Sequence, residues 1–348
     1  MKVTSPRSWV LPQLLVNRAW LSVKPRRAWI SDVAPDVAAA CMPGAPRAGW
    51  KSDRVHFTGT FVVVAVVAHR ATDRRLVVKF PRTPQAATVL RRQADVLAAL
   101  HADRRLQGWS PSPPRILGSG YLDGYPYWVE DALPGYQVTA SRLRRTRCTT
   151  VLDAAVRVIE ELHNRTTEQR LADRTVIEGW VDQPIRRLED FAVTRPRPER
   201  LLNALDRIRT ELTASLGERA FSSSWIHGDF WPGNLLVSNM AVTGVVDWDR
   251  ADLGQLPLHD LLHLHVMSRR MTTGEELGGI VVHALSRGLH EAVSIPADRI
   301  TGWLDGLSER AAVLLYWLRH VSLFIDWEGH GDNPRWLRGN VEKVLTNA

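Results

Sequence analysis

With only two cysteines in 348 residues, Cys41 and Cys148, the chain cannot be a disulfide scaffold, and their separation excludes a paired metal-ligand motif. Both are expected as free thiols in a reducing compartment. No apolar run is long enough to cross a bilayer; the longest, Phe61 to Ala68, is eight residues. Arg7, Pro12, Asn17 and Arg18 interrupt the N-terminal segment, so no signal peptide is expected and the chain is placed in the cytoplasm. A single block of basic residues is also missing. The net charge is +8, but the arginines are scattered as pairs such as Arg91-Arg92, Arg144-Arg145 and Arg269-Arg270. Scattered pairs are solvated helix faces in the first instance, and neither a nucleic-acid nor a membrane partner is expected from them.

What the sequence has is 45% hydrophobic and 24% charged residues, enough for a sizeable core. Three regions are expected. Residues 1–52 are rich in tryptophan and proline and form an N-terminal extension. Arg18-Ala19-Trp20-Leu21-Ser22 recurs as Arg27-Ala28-Trp29-Ile30-Ser31, which suggests a hairpin turning at Lys24-Pro25-Arg26. This extension is either a partner-binding flap or a flank that packs its tryptophans on the neighbouring lobe; the second is preferred.

Residues 53–133 read as a small sheet with one helix. Phe61–Ala68 and Leu76–Pro81 are strands around an Ala71–Arg74 turn. Thr83-Pro84 supplies an N-cap and an N1 proline to a helix running through Leu100. Residues 113–121 and 125–133 are two more strands. Residues 134–348 are mostly helical, with helices expected over Val151–Thr166, Ile185–Ala192, Glu199–Leu216, and at 257–271, 274–292, 298–326 and 334–346.

The helical region is interrupted by Trp225-Ile226-His227-Gly228-Asp229-Phe230-Trp231-Pro232-Gly233-Asn234-Leu235-Leu236-Val237, then by Gly244-Val245-Val246-Asp247-Trp248-Asp249. An Asp five residues before an Asn on a loop, followed by a hairpin ending in a second Asp, is a constellation that phosphoryl transfer uses. Asp229 would orient and deprotonate an attacking hydroxyl, while Asn234 and Asp247 would hold magnesium on a nucleotide's phosphates. A carboxylate buried at a strand end needs such a cation. His227 reads as a structural histidine that bonds loop backbone. Asp249 either helps a second metal or pairs with Arg250, and Asp260 accepts hydrogen bonds from the loop. His259, His263 and His265 are crowded, but without a Glu in a zinc-hydrolase pattern.

Lys79 ends a strand whose interior a bare ammonium would not tolerate, and phosphate would relieve that cost. Its usual kinase partner, a Glu on the next helix, is replaced by Gln93, a neutral amide. No glycine-rich loop is present; His56-Phe57-Thr58-Gly59-Thr60 is the only approach to one. Glu130, Asp131 and Ala132 form a linker whose backbone groups can meet an adenine edge.

His227-Gly228-Asp229 with Asn234, Val245-Val246-Asp247-Trp248-Asp249 and Leu256-Pro257-Leu258-His259-Asp260-Leu261-Leu262 resembles the aminoglycoside phosphotransferase and choline kinase group of protein-kinase-like enzymes, over roughly residues 55–330. The resemblance implies an α+β, two-lobed fold with a small antiparallel sheet and a larger helical lobe, and ATP or GTP as donor. It implies Asp229 as catalytic base, Asn234 and Asp247 as magnesium ligands, and Lys79 as the α/β-phosphate contact.

The expected activity is transfer of a γ-phosphate to a hydroxyl of a small polar molecule: an aminoglycoside, a nucleoside antibiotic, a sugar or an amino alcohol. The acceptor is expected against the segment 315–336. Trp317, Trp327 and Trp336 either offer flat faces there, with Asp326, Glu328 and Asp332 as polar contacts, or simply pack the C-terminal helices; Asp252 is a further candidate carboxylate. His320, His330 and Arg335 would instead suit a neutral or phosphorylated sugar. The competing reading is a non-catalytic nucleotide-binding protein acting through its tryptophan-rich N-terminus, suggested by Gln93 and the missing glycine loop.

Overall fold

The β-branched run after Phe61 forms one strand of a five-stranded antiparallel sheet. The computed structural model describes residues 27–42, 47–59, 61–145, 148–195, 198–217, 219–325, 331 and 333–348. The chain divides into two compact units, one of residues 1–136 and 243–250, the other of residues 137–242 and 251–348.

In the first unit the strands are β1 (Trp50–Phe57), β2 (Val62–His69), β3 (Arg75–Pro81), β4 (Ile116–Leu122) and β5 (Tyr125–Asp131), ordered β1-β2-β3-β5-β4. Alternation decides what each face buries. Val63, Ala65, Val67, Leu76, Val78, Phe80, Tyr127 and Val129 share one apolar cluster with helix α1 (Arg27–Ala40), which contributes Ile30, Val33, Ala34, Val37 and Ala38. The opposite parity places Val62, Val64 and Trp128 with Ala86, Ala87 and Leu90 of helix α2 (Pro84–Ala102). Thr83 caps α2 by accepting from the Ala86 N–H at 3.1 Å. Its buried positions Ala86, Leu90, Gln93, Leu97 and Leu100 recur every three or four residues, so Gln93 belongs to the inward stripe.

The hairpin expected over 18–31 is corrected where it can be seen. Arg27–Ser31 is the start of α1, and the remainder lies outside the described residues. Trp29 packs on Phe80 and Tyr125, at 5.7 and 5.5 Å between ring centroids, which is the packing-flank reading of that residue. An amphipathic helix satisfies its own backbone while covering the apolar sheet face, which a short exposed hairpin would not do.

The second unit is built around an apolar helical core. Its helices include α3 (Cys148–Thr166), α4 (Gln183–Ala192), α5 (Pro198–Leu216), α6 (Leu258–Thr273), α7 (Leu277–Arg287), α8 (Leu289–Val293), α9 (Ala297–Trp303) and α10 (Glu309–Ile325). Between them, β6 (Glu168–Leu171), β7 (Ala220–Ile226) and β8 (Asp252–Gln255) make a sheet with β7 in the centre. Two long helices expected from sequence are broken. The one over 274–292 splits at Gly288, whose φ of +91° no helix accommodates. The one over 298–326 splits where Asp305 and Gly306 turn left-handed. Helix α10 is buried over most of its surface, as its Ala-Ala-Val-Leu-Leu-Tyr-Trp-Leu run demands. Among the described residues no helix is long and apolar enough to cross a membrane.

Candidate active site

The candidate residues fall into two clusters, one in each unit. In the second unit, β7 ends at Ile226 and the chain turns through His227, Gly228 and Asp229. Gly228 has φ of +76°, a conformation that costs a side-chain-bearing residue free energy. The turn aims two successive N–H groups at one carboxylate: His227 N donates to Asp260 Oδ2 at 2.7 Å and Gly228 N to Oδ1 at 2.8 Å. Asp260 sits in the first turn of α6, where a negative charge also meets the helix dipole. His163, in the last turn of α3, lies 3.2 Å from the same carboxylate. Burial pushes the Asp260 carboxyl up, but His163, His227 and the backbone donors outweigh it and hold it below its ordinary value.

Asp229 is held from several sides. Asn234 Nδ2 donates to its backbone oxygen at 2.9 Å and to Oδ2 at 3.0 Å. A carboxylate can only accept, so the Asn234 amide has one orientation, and its Oδ1 is the atom left for another partner. His263 Nε2 reaches Asp229 Oδ1 at 2.9 Å, and His263 Nδ1 meets the Tyr316 hydroxyl at 3.0 Å. In the neutral ring Nε2 therefore carries the proton and Nδ1 accepts from tyrosine. His227 Nδ1 accepts the Asp229 N–H at 3.3 Å, so this histidine bonds loop backbone. Arg319 of α10 donates to the Gly228 carbonyl at 3.2 Å. Burial would raise the Asp229 carboxyl, yet the hydrogen bond and charge of His263, aided by His227, hold it below the ordinary value. His320 lies tilted against His263, with ring centroids 5.1 Å apart, and burial keeps its own pKa well below the usual value.

In the first unit, Lys79 on β3 is buried, as are Gln93 and Glu130. Lys79 Nζ lies 3.0 Å from Glu130 Oε1, 3.3 Å from Gln93 Oε1 and 3.4 Å from Asp247 Oδ1. Gln93 Nε2 donates to Glu130 Oε1 at 2.8 Å. Burial works against the ammonium, but Glu130 and Asp247 together raise its pKa, so Lys79 stays charged. Burial raises the Glu130 carboxyl above its ordinary value, with Lys79 opposing only part of the shift. Of the two partners, the lysine, facing two carboxylates, is the one whose charge is secure.

Asp247 is not the buried carboxylate expected from sequence: 53% of its side chain is exposed. It sits at φ of +62°, which Asp tolerates better than most residues. Behind it Trp248 is fully buried, edge-on to Trp109 at 6.0 Å. Asp249 Oδ2 lies 3.5 Å from Arg250, and its backbone oxygen accepts from Arg92 at 2.9 Å.

In the linker, the Glu130 side chain and two backbone donors have partners within the first unit. Glu130 turns its side chain onto Lys79, and the N–H groups of Asp131 and Ala132 donate to Arg115 and Arg75 carbonyls at 3.0 and 3.3 Å. Those two donors are already engaged. The glycine candidate sits in the turn after β1, where Thr58 bonds Val62. Trp317 takes the packing alternative: it is fully buried, and its indole donates to the Asn340 carbonyl at 2.8 Å, so it offers no face to an acceptor. Trp336 packs partly buried against the same core. Asp252 is exposed and bonds Gln255 within β8. Asp326, Trp327, Glu328, His330 and Asp332 lie outside the described residues.

Sequence reasoning missed the Glu130 side chain as a partner of Lys79, and it missed His163 and Tyr316 altogether. His263 was considered only as a metal ligand. Its spacing of three from Asp260 on one helix places both toward the loop, and that signal was present in the sequence.

Comparison with solved structures finds the same fold in aminoglycoside phosphotransferases. A thermostable mutant of aminoglycoside phosphotransferase APH(4)-Ia, apo form, aligns with a TM-score of 0.54 at 17% identity, covering 85% of this chain and 95% of that one. A ternary complex of a variant of that enzyme with ADP and hygromycin B gives 0.54 at 15% identity, covering 86% and 95%. ADP-bound APH(2'')-Ib gives 0.51 at 13% identity, covering 91% and 97%. At these identities the likeness speaks for the fold. No curated relative matches the chain. The family model described as "Phosphotransferase enzyme family" (APH) matches residues 48–294, well over half of the sequence. The chain belongs to the phosphotransferase enzyme family, with the protein-kinase-like fold of the aminoglycoside kinases.

Proposed function

We propose that this small-molecule phosphotransferase moves the γ-phosphoryl group of ATP or GTP, with magnesium, to a hydroxyl of a small polar acceptor. The observation that carries the reading is the fixed Asp229 carboxylate, oriented by Asn234 and His263 on a loop clamped to Asp260. Asp229 would align the acceptor hydroxyl and take its proton. Phosphoryl transfer asks for little covalent help, so placement of that hydroxyl is the main contribution of the loop.

Lys79 would meet the nucleotide's phosphates, a role that suits a buried ammonium. The donor chemistry fits a hard divalent cation: an exposed carboxylate at Asp247 and an amide oxygen at Asn234 are oxygen ligands of the kind magnesium takes. Magnesium would neutralise phosphate charge when bound. His227, Asp249 and Asp260 are positioning residues in this reading. The acceptor is a sugar, an amino alcohol, an aminoglycoside or a nucleoside antibiotic. The reading of a non-catalytic nucleotide-binding protein leans on Gln93, and that argument weakens because Lys79 has Glu130 beside it.

The test is Asp229→Ala, assayed against a panel of aminoglycosides, nucleoside antibiotics, hexoses and amino alcohols for acceptor-dependent ADP or GDP release. Turnover should be lost while nucleotide affinity stays within a few-fold, because the carboxylate serves the acceptor. Near wild-type turnover would remove the assignment.

A further inference from the structure

The position that should supply a charge to Lys79 from helix α2 is occupied by Gln93, yet Lys79 is not short of a carboxylate. Glu130 reaches it from β5 at 3.0 Å. The register explains how. β3 and β5 are hydrogen-bonded neighbours, with Lys79 opposite Trp128 and Val77 opposite Glu130. Side chains two apart on a strand share a face, so Glu130 and Lys79 lie diagonally across one antiparallel pair, within reach of long side chains. Gln93 comes from α2, which packs on that same face, and touches both: its oxygen faces Lys79 and its amide N–H donates to Glu130. All three side chains are buried, so each polar atom must be matched within the cluster.

We propose that Glu130 is the positioning residue that orients Lys79 toward the nucleotide's phosphates, with Gln93 as a neutral bridge, so that the carboxylate of the lysine pair has moved from the helix to the sheet. The proposal rests on the reading of Lys79 as a phosphate contact. It has a mechanical consequence. A helix-borne partner holds the lysine only while the helix keeps its place. A partner on the adjacent strand is fixed by the ladder that fixes the lysine itself, so the lysine keeps its aim when α2 shifts.

The experiment is a charge exchange read by ligand affinity. Glu130→Gln, Gln93→Glu, the double exchange and Lys79→Met are titrated calorimetrically with ATP and GTP in magnesium, and with adenosine and guanosine. Glu130→Gln should weaken triphosphate binding about tenfold while the nucleoside changes little, because only phosphate feels the lysine's aim. The double exchange should recover most of that loss, since it restores one carboxylate and one amide to the cluster. A purely structural role would instead lower both ligands together and show no recovery.

If Lys79→Met leaves the triphosphate-to-nucleoside ratio unchanged, the phosphate role of Lys79 fails, and this proposal with it. If Lys79→Met lowers the ratio but Glu130→Gln does not, the proposal alone fails. Should Glu130→Gln not fold, the double exchange decides. A folded protein with a recovered ratio supports the proposal; a folded protein without recovery, or no folded protein, overturns it.

Discussion

His263 Nε2 lies 2.9 Å from Oδ1 of Asp229, and the same ring meets the Tyr316 hydroxyl at 3.0 Å through Nδ1. The pair sets the state of the carboxylate, because burial alone would push Asp229 up and His263 is the main group opposing it. His263→Ala should therefore raise the Asp229 carboxyl and move the acid limb of the pH–rate profile to higher pH. Turnover should fall about 100-fold, the scale on which a positioned base matters. Tyr316→Phe, which removes only the far end of the chain, should do less. A limb that stays in place in His263→Ala would show that the histidine does not govern Asp229.

Asp260 stabilises the fold through its charge. Its carboxyl is held below the ordinary value in the folded state, so its contribution is complete above the unfolded value near ~3.9 and is lost as pH falls through the folded one. Asp260→Asn leaves buried N–H groups and His163 facing a weaker acceptor. The substitution should cost about 2 kcal/mol near neutrality. The gap between the two proteins should close only in strong acid. Denaturant unfolding of both across the acid range tests this, and a gap that is constant with pH would contradict it.

Two histidines act in the same pH direction, but as rings held neutral rather than as a charge. Burial, with Arg319 second, lowers His259 from 6.5 to about 3; burial, with Arg299 second, lowers His265 from 6.5 to about 4. Between those values the unfolded chain takes up protons that the fold refuses, so stability falls as pH falls. The slope is about 1.4 kcal/mol per pH unit for each group. His259→Gln and His265→Gln should each flatten the decline between neutrality and the mid-acid range. Thermal unfolding at a series of pH values reads this directly, and unchanged slopes would show that neither ring is held neutral.

Asp247 couples a left-handed backbone to a half-exposed carboxylate. Asp247→Ala and Asp247→Gly should both lose magnesium-dependent nucleotide affinity. Glycine suits the backbone, so Asp247→Gly should be the more stable of the two by about 1 kcal/mol. Equal affinity with and without the carboxylate would place the cation elsewhere.

The α+β class, the strands and the Asp229–Asn234–Asp247 spacing were legible because each depends on local pattern. Alternation marks β2 and β3, and Thr83-Pro84 announces α2. What could not be read was what needs a third dimension. Glu130 shares a face with Trp128 and alternates with Val129, but its meeting with Lys79 depends on which strand lies beside β3, and the sheet places β5 there, out of chain order. The breaks at Gly288 and Gly306 were hidden because apolar periodicity continues across them. Trp317 looked available because a tryptophan's place in a sequence says nothing of which neighbours enclose it.

The family match begins at residue 48, but the covering of the sheet begins earlier, at Arg27. Helix α1 closes the face formed by Val63, Ala65, Val67, Leu76, Val78 and Phe80. A chain trimmed to begin where the match begins would keep Lys79, Gln93, Glu130, Asp229, Asn234 and Asp247 and bare that greasy face to water, inviting self-association. In this protein the stretch that the family model matches is shorter than the stretch that buries the sheet.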